Sequence, residues 1–136
     1  MNLMEPSQFR LLPPEENRFY AFMALFIYLA ARWYFRLEVV GRENIPLCGP
    51  VLLAANHASN LDPTMIACGL PRQVHFLAKE ELFQRPVLGQ FLKWVNTHPI
   101  RRGGGDRAAL RQCVELLRQG RTVLIFPEGT RTHDGQ

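Results

Sequence analysis

Several patterns that would assign this chain to a common class are absent from its 136 residues. There are only three cysteines, Cys48, Cys68 and Cys113, with no Cys-X-X-Cys pair, which argues against a disulfide framework or a zinc site and fits a reducing compartment. There is no run of about 20 apolar residues, the length that a membrane-spanning helix needs. No Gly-Lys-Ser/Thr triplet follows the glycine-rich segment, which argues against a nucleotide P-loop.

Lysine is scarce as well, because 14 of the 16 basic side chains are arginine; the net charge is +4. Residues 69–136 carry eleven basic and six acidic side chains, against five and six in residues 1–68. Arginine binds phosphate or carboxylate with two parallel hydrogen bonds, so the second half indicates an anionic substrate, an anionic lipid or nucleic acid. A solvated arginine-rich surface is the alternative. The lack of an aromatic-basic stripe argues against nucleic acid as a partner.

The longest unbroken apolar run is "FYAFMALFIYLAA", residues 19–31, which aromatic residues and arginines flank. It is too short to span a bilayer comfortably, but its flanks suit the headgroup level. A buried core helix is one alternative. A cleaved signal peptide is another, although the short basic region that starts one is missing. We expect an irregular lead-in at 1–18 and a membrane-associating helix at 19–36, at the cytoplasmic face of the cell membrane.

Beyond residue 36, short apolar runs that suit strands alternate with stripes that suit helices. The strands are expected at 37–41, 51–55, 74–78 and 122–126, with the run at 51–55 buried on both faces. Asp62-Pro63 predicts the N-cap and first residue of a helix that reaches about Leu70. Pro86 begins a second helix, and Asp106 caps a third that ends at Gly120. The two core stripes of these helices comprise Val87, Leu88, Phe91, Leu92 and Val95, and Ala109, Leu110, Cys113, Leu116 and Leu117.

This alternation predicts an α/β fold, a mixed but largely parallel sheet flanked by helices. The chain stops in the middle of a loop, so we expect the front part of a longer domain, with the strand at 122–126 near an open sheet edge.

Polar residues follow the second strand in "NHASNLDP", residues 56–63. His57 and Asp62 are five residues apart, too far to face each other on a helix, but the intervening turn can fold the carboxylate toward the imidazole. Asp62 would then fix the tautomer of His57 and make it a competent general base. The alternative is a turn with an incidental histidine, because Asn, Ser and Asp readily bond their own backbone.

Two further polar clusters also follow strands. In "FPEGTR", residues 126–131, proline and glycine suit a tight turn, but this leaves the acid Glu128, the hydroxyl of Thr130 and the guanidinium of Arg131 unexplained. In "HPIRRGGGD", residues 98–106, two arginines stand beside glycines that let backbone N–H groups approach an anion.

Taken in order, these three clusters resemble the conserved blocks of the glycerolipid acyltransferase family, the lysophosphatidic acid acyltransferases and their relatives. "NHASNLD" matches the N-H-x-x-x-x-D block, "PIRR" resembles the second block, and "FPEGTR" matches the third almost letter for letter. The resemblance covers residues 37–136, which it identifies as the N-terminal portion of an acyltransferase domain. Asn96 departs from the family, where the second block usually has glycine, and the fourth block, a Val-Pro-containing strand, does not occur.

The resemblance implies a glycerolphosphate acyltransferase-like fold and a role for each matched residue. His57 is implied as the base and Asp62 as its orienting partner. Arg102 is implied as the arginine that binds the acceptor phosphate, with Arg101 as the other reading of the block. The acceptor-binding block comprises Glu128, Gly129, Thr130 and Arg131.

The implied reaction moves a fatty acyl group from acyl-CoA or acyl-carrier protein to the free hydroxyl of a lysophospholipid, converting 1-acylglycerol-3-phosphate to phosphatidic acid. It needs no cofactor and no covalent acyl-enzyme. His57 and Asp62 lack a third ligand at a suitable spacing, so no metal is expected. The implied partners are the two substrates and the bilayer. The alternative function is a truncated, non-catalytic, lipid-binding module at the membrane surface.

Overall fold

The computed structural model describes residues 17–59, 61–101 and 105–127, without the side chains of Gly105 and Asp106. A 3-10 turn at Arg42–Asn44 precedes the first strand. In chain order the helices and strands are α1 (Arg18–Tyr34), β1 (Val51–Ala54), α2 (Asp62–Gly69), β2 (Val74–Lys79), α3 (Glu80–Phe83), α4 (Pro86–Trp94), β3 (Thr97–Ile100), α5 (Gly105–Arg118) and β4 (Thr122–Ile125).

The four strands form one sheet in the order β1-β4-β2-β3, and all three neighbouring pairs are parallel. The predicted α/β sheet is therefore confirmed. The prediction that the strand at 122–126 lies near an open edge is wrong, because β4 returns to lie between β1 and β2. Among the described strands β1 is at an edge, and Leu52 is 52% exposed where a strand buried on both faces was expected.

Two apolar clusters cover the two faces of the sheet. One contains Tyr20, Ala67, Val74 and Leu124, and the other contains Cys113, Leu116 and Val123. Val123 and Leu124 belong to different clusters because successive strand residues point to opposite faces. The sheet is thus packed by α1 and α2 on one face and by α5 on the other.

Helix α1 is tied to the sheet at its first turn. The side chain of Asn17 caps the helix by accepting the N–H of Tyr20 at 3.0 Å. The Tyr20 hydroxyl accepts the N–H of Val74 at 3.0 Å, and burial raises the pKa of Tyr20 to about 12. In the described part of the chain, no helix has both the length and the hydropathy to cross a membrane.

Three local predictions are wrong. Residues 37–41 form no strand, and Val39 instead packs on Gly69 at the end of α2, where an added Cβ would come within 2.9 Å of the valine side chain. Val87 and Leu110, predicted to face the core, are 83% and 64% exposed. The buried residue of α4 is Gly89. A side chain at this position would overlap the carbonyl oxygen of Phe83.

Candidate active site

The turn between β1 and α2 folds the Asp62 carboxylate back over the residues that precede it. Its Oδ2 accepts the backbone N–H groups of Ala58 and Ser59, both at 2.7 Å, and lies 3.3 Å from Nδ1 of His57. Asp62 is the first residue of α2, and the N-cap position belongs to Leu61. The prediction that Asp62 caps the helix is therefore wrong, because its carboxylate serves the turn instead.

These contacts favour the ionised form of the carboxylate. The hydrogen bond from the backbone of Ser59 is the largest cause that lowers the pKa of Asp62, and the bonds from Ala58 and His57 act in the same direction. An ionised Asp62 can only accept a hydrogen bond, so Nδ1 of His57 must carry the proton that is donated to it. This assigns the neutral tautomer of His57 with its proton on Nδ1. The other ring nitrogen, Nε2, then carries the lone pair that can take a proton.

The His57 ring is also held by β4. It stacks on the ring of Phe126, with the ring centroids 4.3 Å apart and the planes inclined by 27°. Residues that follow β1 and β4 meet because Ala54 is paired with Ile125 in a parallel ladder. Sequence reasoning missed Phe126 as a site residue, since only the strand order reveals that the blocks at 56–63 and 126–131 are neighbours.

Arg101, the described member of the arginine block, lies at the same carboxyl end of the strands but further along the sheet. Arg101 follows β3, which is three strand spacings, about 14 Å, from β1. Its side chain is 84% exposed, and its Nε lies 3.6 Å from the carboxylate of Glu80. The structure therefore brings His57, Asp62 and Phe126 together and leaves Arg101 apart from them. Five of the predicted substrate-binding residues lie outside the described residues: Arg102, Glu128, Gly129, Thr130 and Arg131.

Asn96, the residue that departs from the family pattern, has a φ of 60°. That left-handed conformation is the one that glycine adopts at no steric cost and that asparagine tolerates better than most residues. Its side chain joins two others, because Asn17 donates to Asn96 at 2.9 Å and Asn96 donates to Gln73 at 3.2 Å. Asparagine thus keeps the turn that glycine would allow and adds bonds that fix the start of α1.

No group of three or more His, Cys, Asp or Glu side chains within the described ranges is arranged to hold a metal ion.

Comparison with known proteins gives the family. The family model described as "Acyltransferase" matches residues 36–136. The chain belongs to this acyltransferase family. It is 35% identical to the 1-acyl-sn-glycerol-3-phosphate acyltransferase of Bacillus subtilis (strain 168), over 72% of this chain and 50% of that protein. It is 40% identical to the lyso-ornithine lipid O-acyltransferase of Pseudomonas aeruginosa, over 62% of this chain and 32% of that protein.

A solved structure agrees with the fold of this acyltransferase chain. The crystal structure of the 1-acyl-sn-glycerophosphate (LPA) acyltransferase PlsC from Thermotoga maritima superposes with a TM-score of 0.65 at 36% identity, covering 86% of this chain and 47% of that chain. The chain therefore spans half or less of the length of each of these three relatives.

Proposed function

We propose that this chain carries the proton-transfer centre of an enzyme that acylates a lysophospholipid. The donor is acyl-CoA or acyl-carrier protein, and the acceptor is 1-acylglycerol-3-phosphate, which becomes phosphatidic acid. The observation that carries the proposal is the His57–Asp62 contact, in which an ionised carboxylate orients the imidazole. Family membership and the names of the relatives support the same reaction class.

The proposed step is a direct transfer between the two substrates. Nε2 of His57 removes the proton from the acceptor hydroxyl as that oxygen attacks the thioester carbonyl. The resulting tetrahedral intermediate collapses with loss of the thiolate, and the proton on His57 passes to the departing sulfur. The carboxylate of Asp62 stabilises the imidazolium between these events. The stacked ring of Phe126 keeps the imidazole plane fixed in the meantime.

The acceptor phosphate is proposed to bind Arg102 and the block at 128–131. In sequence this block follows β4, and β4 pairs with β1, the strand that precedes His57. Arg101 is the alternative candidate for binding the phosphate, and its guanidinium faces Glu80.

The direct test is product formation by the whole protein. Purified protein is incubated with acyl-CoA or acyl-carrier protein and with 1-acylglycerol-3-phosphate or lyso-ornithine lipid, and the acylated lipid is identified by mass spectrometry. The proposal expects phosphatidic acid from the first acceptor. Faster acylation of lyso-ornithine lipid would keep the reaction but change the acceptor. Vesicle binding without acyl transfer from either donor would favour the alternative, a lipid-binding module without catalysis.

Membrane association is a second part of the proposal, and α1 supplies its observation. Large apolar side chains at helical spacing stay exposed on the side away from the sheet: Phe22, Leu25, Phe26, Leu29 and Trp33, between 56% and 87% exposed. A stripe of this kind favours insertion of the helix into one leaflet, and we place it at the cytoplasmic face of the cell membrane.

This part is tested by substitution, because deleting α1 would also remove Tyr20 from the core. Phe22→Ser/Phe26→Ser/Trp33→Ser should lower the fraction that floats with phospholipid vesicles by about tenfold or more. The matched control is Val40→Ser/Val87→Ser, two valines that are 93% and 83% exposed outside α1. Equal losses in the two variants would contradict the role of α1.

A further inference from the structure

A second polar region lies at the amino ends of the strands, where β2 and β4 begin, and so at the opposite end of the strands from His57. A cavity of about 390 Å³ opens there between α1, the end of α2 and the strand starts. Three arginines line it, Arg42, Arg72 and Arg121, and none of the described lining residues is an aspartate or a glutamate. The strand length that separates it from the turn of His57 is about 10 Å.

The charge in this cavity is fixed and uncompensated. Arg72 donates to the carbonyl oxygens of Pro46 and Gly120, both at 2.9 Å, so its guanidinium is held in place by neutral partners. Within the described ranges none of the three arginines forms an ion pair. Like charges around one concave surface focus a positive potential, which attracts an anion.

Two of the lining residues each carry a buried polar atom that has no hydrogen-bond partner among the described residues. The Thr122 side chain is fully buried, and its Oγ1 has no hydrogen-bond partner among the described residues. The same is true of the buried Nε of Arg121. A buried polar atom without a partner is destabilising, and both residues line the cationic cavity, so this lining suits a ligand that accepts hydrogen bonds.

We propose that this cavity is an anion-binding site, separate from the catalytic centre, that takes a phosphate monoester. A phosphate dianion matches several guanidinium and hydroxyl donors at once. The cavity volume lies within the range of small-molecule sites, about 300–1,000 Å³, so a small organic group attached to the phosphate fits beside the apolar wall of α1. The phosphate belongs either to a soluble ester or to the headgroup of a membrane lipid.

The test compares cavity arginines with surface arginines. The whole protein in detergent is dialysed against radiolabelled glycerol 3-phosphate, as the wild type, as Arg42→Gln/Arg121→Gln and as the control Arg111→Gln/Arg118→Gln, which removes the same charge from the exposed side of α5. The catalytic site contributes equally to all three forms. The wild type and the control should share a class of binding that is at least about tenfold weaker in the cavity variant.

Thr122→Val keeps the test decisive if the arginine variant folds poorly. This change removes an unpartnered hydroxyl, so it should leave the melting temperature unchanged or higher while weakening glycerol 3-phosphate binding. A lipid source is tested by flotation with phosphatidylcholine vesicles that contain phosphatidic acid. A cavity-dependent difference in flotation alone assigns the site to a lipid headgroup, and one in dialysis assigns it to a soluble ester. No difference between cavity and control variants in either assay would overturn the proposal.

Discussion

The ring of His57 rests on the ring of Phe126, 4.3 Å away between centroids, and this contact joins the turn after β1 to the turn after β4. Phe126→Leu keeps an apolar side chain but removes the flat surface on which the imidazole stacks. We expect kcat to fall about 10- to 100-fold, because a small displacement of a catalytic group has effects of that size. Steady-state kinetics of acyl transfer measure it.

Phe76→Leu is the matched control, since Phe76 packs against the same apolar cluster from β2. It should lower stability by a similar amount and leave kcat near the wild-type value. If Phe76→Leu slowed the reaction as much as Phe126→Leu, the effect would come from core packing rather than from the stacking contact.

The left-handed conformation of Asn96 predicts an unusual order of stabilities. Both Asn96→Ala and Asn96→Gly lose the bonds to Asn17 and Gln73. Asn96→Ala should be the less stable of the two by about 1–2 kcal/mol, because only alanine adds backbone strain. Urea unfolding measures both. Asn44→Ala is the control, because Asn44 does not have a positive φ. A glycine variant less stable than the alanine variant would contradict this account.

The two neighbouring arginines should differ in their effect on the acceptor. Arg102→Ala should raise the KM for the lysophospholipid and spare that for the thioester donor, because phosphate binding is present before and during the reaction. Arg102→Lys should restore only part of the affinity, since an ammonium lacks the two-pronged geometry. Arg101→Ala, which removes an exposed side chain facing Glu80, should change the acceptor KM less. The reverse order of effects would assign the phosphate to Arg101.

Acid should destabilise the protein through a buried histidine pair. His75 Nδ1 lies 2.9 Å from His98 Nε2, and burial, with the charges of His98, Arg121 and Arg72, lowers the pKa of His75 to about 3. An unfolded histidine binds a proton below about pH 6.5, so the unfolded state binds more protons than the native state between these values. The contribution of His75 to stability is therefore full above about pH 6.5 and falls as the pH drops toward 3, by at most about 1.4 kcal/mol per pH unit.

His75→Asn tests this dependence, because the amide nitrogen can occupy the place of Nδ1 without titrating. Its free energy of unfolding, measured in urea between pH 7.5 and 4, should fall less steeply than that of the wild type. His75→Asn/His98→Asn should flatten the curve further, since burial also lowers the pKa of His98. Parallel curves for all three proteins would contradict the assignment.

The strands at 51–55, 74–78 and 122–126 and the turn at 56–63 could be predicted because they are local patterns, whereas β3 was not among the expected strands. Apolar runs between turn residues indicate buried strands, and the spacing of His57 and Asp62 indicates a turn. The strand order could not be predicted, because β4 is inserted between β1 and β2 by contacts between residues about 70 positions apart. Phe126 was missed as a site residue for that reason, and the exposed edge position of β1 was missed with it.

Other errors arose where tertiary packing overrides a local pattern. The β-branched residues at 37–41 suggested a strand, but no described strand pairs with them, and Val39 packs on Gly69 instead. The sequence contains one indication of the His75–His98 pair, which is the histidine inside the apolar run at 74–78. A polar residue at such a position needs a partner, but the partner on β3 is visible only in the register of the sheet.

The central claim is that His57 acts as the base in the transition state, oriented by Asp62. Steady-state kinetics of the whole protein, with donor and acceptor varied separately, test it most directly. His57→Ala should lower kcat by about 10²- to 10⁴-fold with little change in either KM, and Asp62→Asn should also lower kcat, because an amide no longer fixes the tautomer. A His57→Ala enzyme that kept the wild-type kcat and lost only affinity for a substrate would contradict the account.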